Sequence, residues 1–222
     1  MIQFILSNLE LAFLFLILAF SFFIYWCIDE KSGLQICIVT LLCVWLVFIY
    51  QMQLKENNFN LNIRIGWVII AIIYAGFIFL RKTIESLFLK GGFRACMIAI
   101  AAGSFIMILY RPEYYFVMPA GILLGMGIGY CLNKKYIGFK SRDYLDSKGY
   151  KKILILLARF FTGVIVLAVI VYRVILIIQH VTESQNIFLY MFLCCALVSL
   201  WISIAAPWLF IKLRFAGSDL DK

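Results

Sequence analysis

Seven stretches of this 222-residue chain are apolar enough to lie in lipid: 2–28, 33–53, 65–80, 95–110, 114–132, 153–179 and 186–211. A helix needs about 20 such residues to cross the hydrocarbon of a bilayer. Lipid offers no partner to a bare peptide group, so a crossing segment must satisfy its own backbone, as a helix does. Runs such as VIIAIIYAGFIFL at 68–80 do not alternate in polarity, as the ~10-residue strands of a membrane barrel would. The expected fold is therefore all-α: one integral membrane domain, residues 1–222, with about seven transmembrane helices.

The basic residues orient such a bundle. Of the 20 Lys and Arg residues, 15 fall in the connections 29–32, 81–94 and 133–152 and in the tail from 212. The N-terminus and the connections 54–64, 111–113 and 180–185 together hold three. The two remaining cations, Arg159 and Arg173, lie inside the sixth stretch. Cytoplasmic loops carry an excess of Lys and Arg, so the N-terminus is predicted outside and the C-terminus in the cytoplasm.

Composition narrows the class further. The chain is 65% hydrophobic with a mean hydropathy of +1.03, against roughly 45–50% apolar content in soluble domains. The net charge of +9 matches anionic lipid headgroups, and no nucleic-acid partner is expected. The first stretch lacks a basic leader and runs into Asp29-Glu30 without a small-residue cleavage site, so it reads as a retained span. The seven cysteines all lie in apolar stretches and read as buried thiols acting as small hydrophobes.

Between the spans, residues 1–12 suit a short interfacial helix, and Asp29-Glu30-Lys31-Ser32-Gly33 a tight turn. Residues 81–94 suit an amphipathic helix on the headgroups. Arg111-Pro112-Glu113 leaves room only for a hairpin, and the connection 133–152 is the main positive anchor. Gly121, Gly125 and Gly129 form two overlapping GxxxG steps on one helix face. They allow close helix packing, which drives association in lipid; the alternative is a glycine-lined cleft or gate. Pro207 removes a backbone donor and bends the last span.

Charges within membrane segments are functional candidates because they are costly there. Arg159 and Arg173 are 14 residues apart on one helix, hence within about 40° of one face and ~21 Å apart along the axis. They read either as two lipid-phosphate contacts at opposite leaflets, since Arg suits phosphate geometry, or as side chains snorkelling to the two interfaces. Glu10 reads as an interface residue and His180, the single histidine, as a solvated boundary residue. The sequence carries no Ser/His/Asp order, HExxH, P-loop or CxxC pattern, so no catalytic residue, metal or cofactor is expected.

Two regions resemble the phosphatidic acid phosphatase type 2 family, the membrane lipid-phosphate phosphatases of bacteria. The first is Ile24-Tyr25-Trp26-Cys27-Ile28-Asp29-Glu30-Lys31-Ser32-Gly33, which is similar to the turn closing the first span of one bacterial group. The second comprises Ala120-Gly121 to Gly125, Gly129-Tyr130, Lys135 to Phe139, Ala196 to Trp201 and Ala206 to Phe210. These resemble the span after that group's catalytic core and its last span.

The family's three catalytic motifs are not matched. Arg111-Pro112 has Ser104 where Lys-x6-Arg-Pro needs lysine, and Pro119-Ala120-Gly121-Ile122 lacks the serine and histidine of Pro-Ser-Gly-His. A mechanism with one histidine as nucleophile and another as acid needs two. The resemblance thus implies the family's membrane scaffold in a bacterial inner membrane without its activity, binding a phospholipid or polyprenyl lipid or assisting another membrane protein. A small transporter subunit gated at the glycine-rich span is the alternative, and an active lipid phosphatase a third reading.

Overall fold

The computed structural model describes residues 17–56, 68, 71–76, 93, 95, 97–110, 114–141, 150–181 and 187–218. Each of the seven apolar stretches carries helix within these residues. In chain order they give α1 (Ile17–Cys27), α2 (Glu30–Glu56), α3 (71–76) and α4 (Met97–Tyr110). Then come α5 (Tyr114–Leu132), α6 (Tyr150–Val181), α7 (Ile187–Leu200) and α8 (Ala206–Lys212). Four segments are long and apolar enough to cross a membrane: Glu30–Val47, Phe116–Ile137, Tyr150–Val174 and Ile187–Lys212. The protein is thus a helical integral membrane protein. The expected interfacial helix at 1–12, most of the amphipathic segment 81–94 and the hairpin at 111–113 lie outside the described residues.

Two expectations about connections change. The turn expected over 29–33 is shorter, because α2 already begins at Glu30. Asp29 caps that helix: the Ser32 backbone N–H donates to Asp29 Oδ2 at 3.1 Å, satisfying one of the bare donors of a helix start. Glu30 adds an acidic group to the first turn, where the helix dipole favours negative charge. Gly33 then lets α2 touch α1, since a Cβ there would sit 2.6 Å from the Tyr25 Cβ.

The anchor expected over 133–152 begins with regular structure. The helix of α5 runs on through a π-turn, Asn133–Ile137. Gly138 closes it in the left-handed conformation (φ 62°), with its N–H bonded to the Asn133 carbonyl, a position that suits glycine. Phe139–Lys140 (β1) then pairs antiparallel with Gly217–Ser218 (β2). The bundle is therefore helical with one two-residue ladder tying its C-terminal turn to the end of α5.

The core forms where α1, α2, α5 and the last helix meet. Tyr25, Trp26, Cys37, Leu41, Met126, Ile202 and Phe210 all lie in it. Gly163 of α6 admits the Trp26 indole, which a Cβ would meet at 2.5 Å. A smaller cluster joins Val39, Cys43, Val44 and Val47 of α2 to Ile73 and Tyr74 of α3, with Thr40 and Tyr74 hydroxyls 2.6 Å apart.

Candidate functional site

The last transmembrane helix is broken by a π-turn, Trp201–Ala205, between α7 and α8. In it the Ala206 N–H bonds to the Trp201 carbonyl five residues back. The next two carbonyls, of Ile202 and Ser203, would look for a donor to position 207, where proline has no N–H. Bare carbonyls in a lipid-embedded helix cost several kcal/mol, so other side chains must reach them. Trp26 Nε1 donates to the Ile202 carbonyl at 2.8 Å. Tyr25 Oη donates to the Ser203 carbonyl at 3.0 Å, and Asn133 Nδ2 reaches the same oxygen at 2.9 Å. Asn133 Nδ2 also lies 3.2 Å from Tyr25 Oη, and Asn133 Oδ1 accepts from the Phe139 N–H at 3.3 Å. Tyr25, Trp26 and Asn133 are all buried. One proline thus pins three segments together.

Arg159 ties a second layer beside the first. It is 1% exposed, so both surface readings from sequence, the phosphate contact and the snorkelling side chain, meet an interior location instead. Its Nε donates to the Phe215 carbonyl at 2.8 Å. One terminal nitrogen donates to the Ser141 carbonyl at 2.8 Å and the Trp26 carbonyl at 3.3 Å. The other donates to the Phe215 carbonyl. Ser141 in turn donates its hydroxyl to Glu30 Oε2 at 2.7 Å. The planar guanidinium fork suits several carbonyls at once, and here it fastens the ends of α1, β1 and the C-terminal turn. A long apolar helix hides this role, because Arg159 reaches its acceptors from chain segments 133 and 56 positions away. Arg173, by contrast, is exposed on α6, and the structure does not bring the two arginines together.

The three glycines face the last helix. A Cβ at Gly121 would lie 2.6 Å from the Phe192 carbonyl oxygen, one at Gly125 would lie 3.0 Å from the Ala196 carbonyl carbon, and one at Gly129 would lie 2.7 Å from the Ser203 Cβ. Serines fill the crossing: Ser199 Oγ lies 3.5 Å from the Gly121 carbonyl and Ser203 Oγ 3.2 Å from that of Gly125. The glycine face is occupied by packed helix along its length. Gly127 faces the other way, against Ile100 of α4.

Sequence alone does not mark Tyr25, Trp26 and Asn133 as site residues. The available signal was Pro207, which obliges some donor to cover the carbonyls before it. Trp26 and Pro207 both belong to the stretches that carry the family resemblance, and the structure brings those stretches into contact.

At the same end of the bundle lie exposed cations on aromatic rings. Lys135 Nζ sits 4.8 Å from the Phe93 ring centre and 5.0 Å from that of Tyr136. Lys212 Nζ sits 4.8 Å from the Trp208 ring centre. Among the described residues, no group of three or more His, Cys, Asp or Glu side chains is placed to hold a metal ion.

Residues 117–218 match a family described as PAP2 superfamily phosphatase, transmembrane extension. The C-terminal region of the chain is therefore similar to the membrane extension of that superfamily. The match contains Asn133, Arg159, Pro207 and the three packing glycines, while Tyr25, Trp26 and Glu30 lie before it. No curated protein and no solved structure matches the chain.

Proposed function

We propose that this chain is a non-catalytic relative of the PAP2 lipid-phosphate phosphatases that binds a phospholipid or polyprenyl lipid in a bacterial inner membrane and supports a membrane partner. The observation that carries the reading is the combination of a matched membrane extension with a single histidine, His180, in the whole sequence. Two-histidine phosphoryl transfer needs a second imidazole, and this chain has none to offer. The seven apolar stretches support seven spans, and the distribution of lysine and arginine supports a cytoplasmic basic end. Arg173, exposed on α6, is the phosphate contact of the opposite leaflet. Arg159 serves the lipid site indirectly, by holding the shape of the basic end.

The test is native mass spectrometry of the detergent-purified protein together with a phosphate-release assay on phosphatidic acid and a polyprenyl diphosphate. The expected result is retained anionic lipid, weakened by Arg173→Gln, and no phosphate release. Release that disappears in His180→Gln would replace this reading with that of an active phosphatase. A protein that holds no lipid while keeping its fold would leave only a transporter or assembly role.

A further inference from the structure

Two helix ends are tied together at the basic end by the β1–β2 ladder, and the chain closes them with different residues. The π-turn that ends α5 stops at Gly138, with φ 62°. The last helix, α8, stops at Arg214, with φ 61°. Among the described residues, Arg214 is the one non-glycine residue with positive φ. The Arg214 N–H donates to the Ile211 carbonyl at 2.9 Å and the Phe215 N–H to the Phe210 carbonyl at 2.8 Å. That pair of bonds is a Schellman stop, and it puts Arg214 where glycine is the usual residue. A Cβ is crowded in the left-handed conformation. A glycine would therefore close α8 with less strain, and what arginine adds at this position is its charge.

The turn is fixed from its inner side. Arg159 holds the Phe215 carbonyl, Ala216 is buried, and Gly217–Ser218 pairs with β1. The outer side is open: Trp208, Lys212, Leu213 and Arg214 are all exposed. Lys212 Nζ lies 4.8 Å from the Trp208 ring centre, one helical turn away. Non-helical backbone belongs at the polar edge of a bilayer rather than in its hydrocarbon, so this turn lies at headgroup depth. There Trp208 supplies the amphipathic ring of an interfacial anchor. Leu213 supplies an apolar group for the acyl boundary, and Lys212 and Arg214 supply cations for anionic headgroups. Each cation can meet its own headgroup, because the partner is a surface and not a single phosphate.

We infer that the outer face of the C-terminal turn, formed by Trp208, Lys212, Leu213 and Arg214, docks on an anionic lipid leaflet at the basic end. Arg214 keeps its strained place in the helix stop for the charge it presents to that leaflet. This rests on the lipid-binding reading above and adds to it a leaflet, a headgroup charge and a face of the molecule apart from Arg173.

The experiment is quenching of tryptophan fluorescence in reconstituted vesicles by brominated phosphatidylglycerol or brominated phosphatidylcholine. The share of Trp208 is the difference from W208F. In the unaltered chain Trp208 should be quenched preferentially by phosphatidylglycerol. A basic group at a membrane surface is worth about fivefold in affinity, so R214A and R214G should each lower the preference about fivefold, and K212Q/R214G should abolish it. R214G should nevertheless melt higher than R214A, because only glycine relieves the crowded Cβ. R173Q should leave quenching at Trp208 unchanged. If R214A and R214G keep the full preference, Arg214 only offsets the helix dipole and the surface is overturned. Equal quenching of Trp208 by the two lipids overturns it as well. Should that equal quenching accompany anionic lipid that native mass spectrometry finds retained and lost in R173Q, the broader reading stands without this surface. No anionic lipid held by either measure removes both.

Discussion

If Pro207 is the reason that Trp26 donates to the Ile202 carbonyl, restoring an N–H at position 207 should make that donor dispensable. Trp26→Phe removes the indole nitrogen 2.8 Å from Ile202 O and leaves a buried carbonyl bare, at about 1–3 kcal/mol. It also opens space beside Gly163 and Phe210, which the indole contacts. That cavity term is common to both backgrounds and cancels in a double-mutant cycle. In Pro207→Ala, the new N–H lies five residues after Ile202, where the π-turn already bonds Ala206 to Trp201 in the same phase. The carbonyl then has a donor within its own helix. The expected coupling is about 1–2 kcal/mol: Trp26→Phe is markedly destabilising in the native background and much milder beside Pro207→Ala. The assay is unfolding in mixed micelles, followed by the fraction that stays monodisperse, for the four members of the cycle. Equal destabilisation in both backgrounds, with coupling below about 0.3 kcal/mol, would refute the account of the orphaned carbonyl.

Further outcomes follow from the same contacts. Gly129→Ala drives a Cβ to within 2.7 Å of Ser203 Cβ and should destabilise by about 1–3 kcal/mol. Ser203→Gly should restore much of this loss in the same unfolding assay. Arg159→Met strips charged donors from the carbonyls of Phe215, Ser141 and Trp26. It should cost about 3 kcal/mol or more and speed amide exchange at residues 213–218, read by mass spectrometry. Asp29→Ala should cost about 1 kcal/mol through the lost cap, with Asp29→Asn retaining most of the stability.

How far the sequence reaches depends on the range of the interaction. Helical segments are legible because an apolar run of sufficient length has one good solution in lipid. The spacing of Gly121, Gly125 and Gly129 fixes one face of one helix by local geometry alone. Arg159 is different. Its six-residue distance from the end of an apolar stretch suits an interface, and only the fold shows that three carbonyls from other segments reach it first. The π-turns are equally hidden, since Trp201–Ala205 and Asn133–Ile137 have no composition that sets them apart from ordinary helix. The cap at Asp29 is within reach of sequence: Asp followed by an acidic first-turn residue, Glu30, shortly before an apolar run is a helix-start pattern. Gly33 looks like a turn glycine in sequence, but in the fold it makes room for the contact with Tyr25.

The latch on the last helix also sets an order of events during synthesis. Trp26 and Tyr25 emerge from the ribosome long before the carbonyls they cover, which lie 176 and 178 positions later in the chain. Until Pro207 has been made and its helix inserted, two early donors wait in the membrane with their final acceptors unborn. Once it is made, its helix carries two carbonyls that Trp26, Tyr25 and Asn133 cover. The first and last helices are therefore mutually dependent, and a chain stopped before residue 201 would lack the acceptors that hold its own beginning in place.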